Sequence, residues 1–393
     1  MSSSRARARY IKLKKDQLIV GDKAPFHVYT RRGVLLLSRG MPIENDFQVA
    51  SLEMQGYLDP DEKVIQRQDA TEVHGIRYTK DVNPFLELDS FYQALYGIHQ
   101  DLMEQKRPQG LSFEIRNIAI RLPLLALRKP AALLGAAHWP HHEPSMSLGQ
   151  ALRSAVLIAV VAQQQLRLPA PQLQATLCAA LTANLSLTKM QDELHQLPRP
   201  LSEVQRRRMQ SHPQKTAQLL ELLGVEDELW LEAVRQHHER LDGSGYPQGL
   251  QGKAIGLGAR LIGLADTYMA MTSPRQYRTP LSPRQAMREL LGGENQQLDA
   301  RLGKAFLRSL GVFPPGSVVA LDNGDTAVVV EPGASLNQPI CAAIKAASGE
   351  FYLQPLRRDT SDFQYRIIKV LGQEILHKRQ PFLFWNTHPS QRM

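Results

Sequence analysis

Between residues 84 and 308 apolar side chains recur three and four positions apart, the spacing that lines one face of an α-helix. The clearest runs cover 91–103, 115–127, 148–166 and 173–187, and Pro108, Pro130, Pro140, Pro169, Pro171, Pro198 and Pro200 punctuate them. This predicts an all-α bundle as the main body of the chain. On either side the period changes. After Gly311-Val312-Phe313-Pro314-Pro315-Gly316, strand-like runs at 318–321 and 326–331 flank Asp322-Asn323-Gly324-Asp325, and Asn-Gly is a strong hairpin signal. Further strand-like runs follow at 340–346, 351–356 and 365–371. Ahead of the bundle, 12–18, 26–29 and 34–37 read as short strands with a turn at Arg31-Arg32-Gly33, and 44–55 reads as a short helix. Residues 66–83 are polar and read as a linker. The expected fold class is multidomain α+β. It divides into a basic tail and small β-rich N-terminal module at 1–66, a helical linker or accessory region at 67–144, a helical domain at 145–311 and a β-rich C-terminal domain at 312–393.

Length and composition agree with several ordinary cores: 393 residues exceed one core, and 43% hydrophobic with 22% charged is globular. The longest strongly apolar run, 155–162, is far short of the roughly 20 residues of a membrane span. The N-terminal stretch is basic with no apolar segment after it, so no secretory leader is expected. Cys178 and Cys341 sit in apolar surroundings and read as buried thiols of a reducing compartment. These features predict a cytoplasmic protein without a membrane span. The formal charge of +9 comes from scattered arginines and a cluster of Arg5, Arg7, Arg9, Lys12, Lys14 and Lys15. No zinc finger or recognition-helix motif accompanies it, so no specific nucleic-acid site is expected. A positive field does suit a small dianionic nucleotide.

The chemistry concentrates in His237-His238-Glu239-Arg240-Leu241-Asp242-Gly243-Ser244-Gly245-Tyr246-Pro247. Adjacent histidines with nearby carboxylates are metal-site chemistry, and the glycines allow a sharp turn close to a ligand. The spacing predicts a helix over 228–239 with both histidines in its last turn, pointing about 100° apart. Asp266, in a predicted helix over 257–271, shares a face with Ile262, Met269 and Ala270. A carboxylate there needs a cation, an arginine or a helix N-terminus as partner. His212 precedes Pro213, a residue that can open a helix.

These motifs, continued through Ala265-Asp266-Thr267-Tyr268 and Ser273-Pro274-Arg275-Gln276-Tyr277-Arg278, resemble the HD-GYP family, whose active members hydrolyse the bacterial second messenger cyclic di-GMP. The resemblance covers about 145–316 and implies an HD-type helical bundle. It implies metal ligands at His212, His237, His238 and Asp266, with iron, manganese or zinc as the ion. It also implies nucleotide contacts at Tyr246, Arg275, Tyr277 and Arg278, surface salt bridging being the alternative for the arginines. Active members use two or three metals bridged by a carboxylate to activate water. They carry these upstream ligands in a segment close to Ala-Ala-Leu-Leu-His-Asp-Ile-Gly-Lys.

The matching segment here is Ala179-Ala180-Leu181-Thr182-Ala183-Asn184-Leu185-Ser186-Leu187. Ala183 replaces the histidine, Asn184 the bridging aspartate, Ser186 the glycine and Leu187 the catalytic lysine. No histidine stands near Ala151, where a further ligand falls in the family, and Met269 replaces a second aspartate. The expectation is a catalytically degenerate protein without a fully occupied multinuclear centre. It would act as a receptor for cyclic di-GMP or as a scaffold for signalling partners, with a homodimer left open. The alternatives are an active phosphodiesterase with a reduced metal site and a scaffold that binds no nucleotide.

Overall fold

The computed structural model describes residues 83–385 except 140–142, 196–200, 274–279, 293–296 and 377–380. Nearer the N-terminus it describes 11–14, 17–29, 35–37, 41–43, 49, 52–53, 56–58, 71–73 and 76–78. The chain divides into two compact units, Met1–Ser90 with Trp385–Met393, and Phe91–Phe384.

In the first unit, β1 (Ile11–Lys12), β2 (Val28–Tyr29), β3 (Leu35–Leu37) and β4 (Tyr57–Leu58) form an antiparallel sheet in the order β1-β4-β2-β3. Leu18, Val28, Ile43 and Leu52 are buried together beneath it. Residues 49, 52 and 53 are helical, and the rest of the helix expected over 44–55 lies outside the described residues. The polar stretch at 66–83 is more than a linker, because β5 (Thr71–Val73) pairs with β6 (Ile76–Tyr78). Their β-branched and aromatic residues favour the pleated pairing despite the polar composition.

Helix α1 (Pro84–Met103) runs across the division, and the second unit is built round the helix α4 (Met146–Val161), against which α2 (Leu111–Arg128), α3 (Pro130–His138), α5 (Ala170–Thr182) and α6 (Thr188–His195) pack. Helix α4 runs on through one wider turn, Ala162–Leu166. At 21 residues Met146–Leu166 is long and apolar enough to cross a membrane, which the shorter apolar run alone did not suggest. Yet 83% of its apolar window is buried within the protein, the behaviour of a core helix.

Helix α5 stops at Thr182, five residues before the periodicity suggests. The Thr182 hydroxyl donates back to the Cys178 carbonyl at 2.7 Å and the chain turns over 183–187. Helix α7 (Glu203–Leu222) starts with a capping box, Ser202 and Gln205 bonding each other's backbone, ten residues before Pro213. Pro213 therefore lies inside a helix and does not open one. Helix α8 (Glu228–Gln236) ends one residue before His237, so the histidine pair stands at its C-terminal cap and just beyond. Helices α9 (Leu257–Thr272), α10 (Pro283–Gly292) and α11 (Ala300–Leu310) complete the bundle.

Strands β7 (Val318–Leu321), β8 (Thr326–Ser335), β9 (Gln338–Lys345), β10 (Phe351–Asp359) and β11 (Ile367–Leu371) make an antiparallel sheet in the order β10-β9-β8-β7-β11. The Asn-Gly signal holds: Gly324, at φ 87°, turns the chain between β7 and β8. Gln373 ties this region to the bundle by donating to the carbonyls of His138 and Gly316. The architecture is helical at its centre with sheets in the N- and C-terminal regions.

Candidate metal centre

Helices α7 and α8 bring three histidines together. One ring nitrogen from each of His212, His237 and His238 lies within 4.8 Å of the others. Their ring centroids are 4.2–5.1 Å apart.

Two local breaks in helical bonding set the direction of these rings. Pro213 has no backbone N–H, so the Met209 carbonyl four residues earlier loses its intrahelical donor. His212 Nδ1 occupies it at 2.6 Å. At the end of α8 the Val234 carbonyl is one of the last four of the helix, and His237 Nδ1 takes it at 2.7 Å. A carbonyl only accepts, so both Nδ1 atoms carry the proton and both Nε2 atoms carry a lone pair. These two Nε2 atoms face each other at 3.2 Å.

Burial holds both rings neutral, with His212 pushed down to about 3 and His237 to about 4. His238 is lowered well below its usual value by burial, then by its two neighbouring histidines. Converging lone pairs on neutral imidazoles repel each other unless a cation lies between them. The donor set therefore fits a divalent metal, and nitrogen donors of this kind suit zinc, iron, copper or nickel.

The loop after the pair is organised by its own polar groups. Glu239 is buried and its two carboxylate oxygens accept from the backbone N–H groups of Gln248 and Leu250, at 2.7 and 2.9 Å. Asp242 accepts from the backbone and hydroxyl of Ser244. Gly243 sits at φ 81°, and a Cβ on Gly245 would overlap the backbone of Glu239 and Arg240. Tyr246 lies against His238, with ring centroids 4.7 Å apart and planes 27° from parallel. Arg240 is partly buried, packs over Gly263 and forms no ion pair among the described residues.

An HD domain family model matches residues 124–302. A cyclic di-GMP phosphodiesterase of Pseudomonas aeruginosa is 31% identical over 214 residues, covering 54% of this chain and 51% of that protein. Residues 124–302 thus form an HD domain that resembles those of the HD-GYP family. A cyclic di-GMP phosphodiesterase response regulator of Xanthomonas campestris is 32% identical over 155 residues, 38% of this chain and 40% of that one. A 3'3'-cGAMP-specific phosphodiesterase of Vibrio cholerae is 57% identical over 51 residues, 13% and 12% of the two chains. The chain thus aligns with about half the length of the first of these relatives, and with less of the others.

Set on the HD-GYP pattern, the structure gathers His212, His237 and His238 and leaves Asp266 outside that set. Asp266 Oδ1 instead accepts from Gln150 Nε2 at 2.8 Å. Tyr246 stands at the cluster, while Arg275, Tyr277 and Arg278 lie outside the described residues. The segment in place of the HD pair holds few donors. Ala183 and Leu187 are buried at 1% and 4% exposure. Asn184 keeps one buried oxygen, Oδ1, without a hydrogen-bond partner. Ser186 bonds the Thr216 hydroxyl at 2.7 Å, knitting this turn to α7. Sequence reasoning missed Gln150 and Arg240. An arginine inside the histidine motif was a usable signal, whereas nothing around Gln150 marked it.

Proposed function

We propose that this HD-GYP-like chain is a cyclic dinucleotide receptor built on a single residual metal site and no longer a hydrolase. The supporting observation is the contrast between three convergent histidines and a neighbouring motif segment stripped to alanine, asparagine, serine and leucine. His212, His237 and His238 would hold one divalent cation, and a bound cation would supply positive charge to a phosphodiester oxygen. A second cation lacks its histidine at Ala183 and its bridging carboxylate at Asn184, since a neutral amide has no charge to bridge with.

The chain's own residues supply the rest of a nucleotide site. Arg240 presents a partly desolvated guanidinium, a good partner for phosphate. The Tyr246 ring beside the histidines supplies an aromatic surface for a purine base. Relatives named for cyclic di-GMP and for 3'3'-cGAMP make both dinucleotides the candidate ligands. The convergent lone pairs also favour a second reading, slow hydrolysis at a mononuclear site.

Metal analysis and calorimetry on one preparation test these readings. The expected result is about one metal per chain, micromolar binding of a cyclic dinucleotide and no turnover. Turnover would replace the receptor by the mononuclear hydrolase. Absence of both metal and binding heat at high ligand concentration would leave a scaffold.

A further inference from the structure

One buried polar contact joins two helices of the bundle. Gln150, on α4, is buried at 8% exposure and stands next to Ala151, near which the family places a histidine. Its amide donates to Asp266 Oδ1 on α9 at 2.8 Å, joining residues 116 positions apart. We propose that Gln150 is a positioning residue that holds Asp266 outside the coordination sphere, leaving a neutral three-histidine centre that selects zinc-like cations. The proposal rests on reading the three histidines as metal ligands.

The chemistry of the two side chains carries it. A histidine in that region could offer a lone pair to a metal, whereas an amide nitrogen offers only hydrogens. Its natural partner is an ionised carboxylate, and such a bond is about twice as strong as a neutral one. Drawing Asp266 toward the cluster would break that bond and leave the buried amide without an acceptor. The observed geometry agrees, because Asp266 is absent from the set of mutually close donors. Three imidazoles without a carboxylate favour zinc, cobalt, nickel or copper over manganese or magnesium, which prefer oxygen.

Cobalt titration of the 393-residue chain, followed by visible absorption, tests this directly. Wild type should take one Co2+ per chain with the intense bands of a four-coordinate site, and Zn2+ should displace it at least about a hundredfold better than Mn2+. Asp266→Asn keeps an acceptor for Gln150 and should leave the bands in place, with affinity changed by less than about tenfold. Gln150→Leu removes this donor from the carboxylate, and the bands should shift and lose about half their intensity as a fifth ligand enters. Loss of the bands in Asp266→Asn, or a Gln150→Leu spectrum identical to wild type, would overturn the proposal while leaving the metal reading intact. No Co2+ uptake by wild type would overturn both.

Discussion

His138 and the pair His212–His237 are built alike up to one atom. In each ring Nδ1 donates to a backbone carbonyl of its own helix: Leu134 for His138, Met209 and Val234 for the pair. Burial lowers each well below the ordinary imidazole value. The difference lies at Nε2. That of His138 meets the Tyr268 hydroxyl at 3.1 Å, a donor that satisfies it. That of His212 meets another lone pair at 3.2 Å. Burial and a perturbed pKa therefore do not separate a core histidine from a ligand. What faces the free nitrogen does.

The pair should respond to substitution far more strongly than His138. His237→Leu should weaken zinc binding by about a hundredfold or more, while His138→Leu should leave it within about threefold. Thermal unfolding with and without zinc reads this directly, since a ligand at a hundred times its Kd stabilises by about 2.7 kcal/mol. Equal zinc protection in the two variants would show that the two kinds of histidine do not differ in metal binding.

A pH series tests what the two sites share. An unfolded histidine titrates near 6.5, whereas folded His138 titrates at about 4 and is kept neutral by burial. Below pH 6.5 the unfolded chain therefore binds protons that the folded chain refuses. This contribution is full above pH 6.5 and is lost as pH falls toward 4. For His138 alone it amounts to on the order of 3 kcal/mol, and His212 and His237 act in the same direction. Urea unfolding of metal-free protein at pH 7.0 and pH 4.5 checks it; equal midpoints would show that these rings titrate normally when folded.

A milder change is expected at Tyr268. Tyr268→Phe leaves His138 Nε2 buried with no donor and should lower stability by about 1–2 kcal/mol in urea. Zinc uptake should not change. Increased zinc stoichiometry would mean that His138, once released, also recruits metal.

How much of this the sequence carried depended on how far apart the cooperating residues lie. The run from His237 to Pro247 was legible as a site because its donors, turn and glycines are contiguous, and helical period located the bundle. The sheet after residue 316 was legible from alternation and Asn323-Gly324. Pro213 was misread as a helix start because the true start, the Ser202–Gln205 capping box, lies ten residues earlier. Helix α8 ends at Gln236 and not three residues later, because a side-chain bond to the Val234 carbonyl leaves no trace in periodicity. Gln150 was illegible for a plainer reason. Its partner is 116 residues away, and a glutamine on a core helix has no pattern of its own.

Pro213 has one more consequence. The proton of the ring at 212 is assigned by an atom that the neighbouring residue does not possess. Restore an amide hydrogen at 213, and the Met209 carbonyl gains a backbone donor of its own, so the imidazole becomes free to exchange its tautomer and turn its lone pair away. A residue with no functional group thus decides which nitrogen of the preceding residue can act as a base.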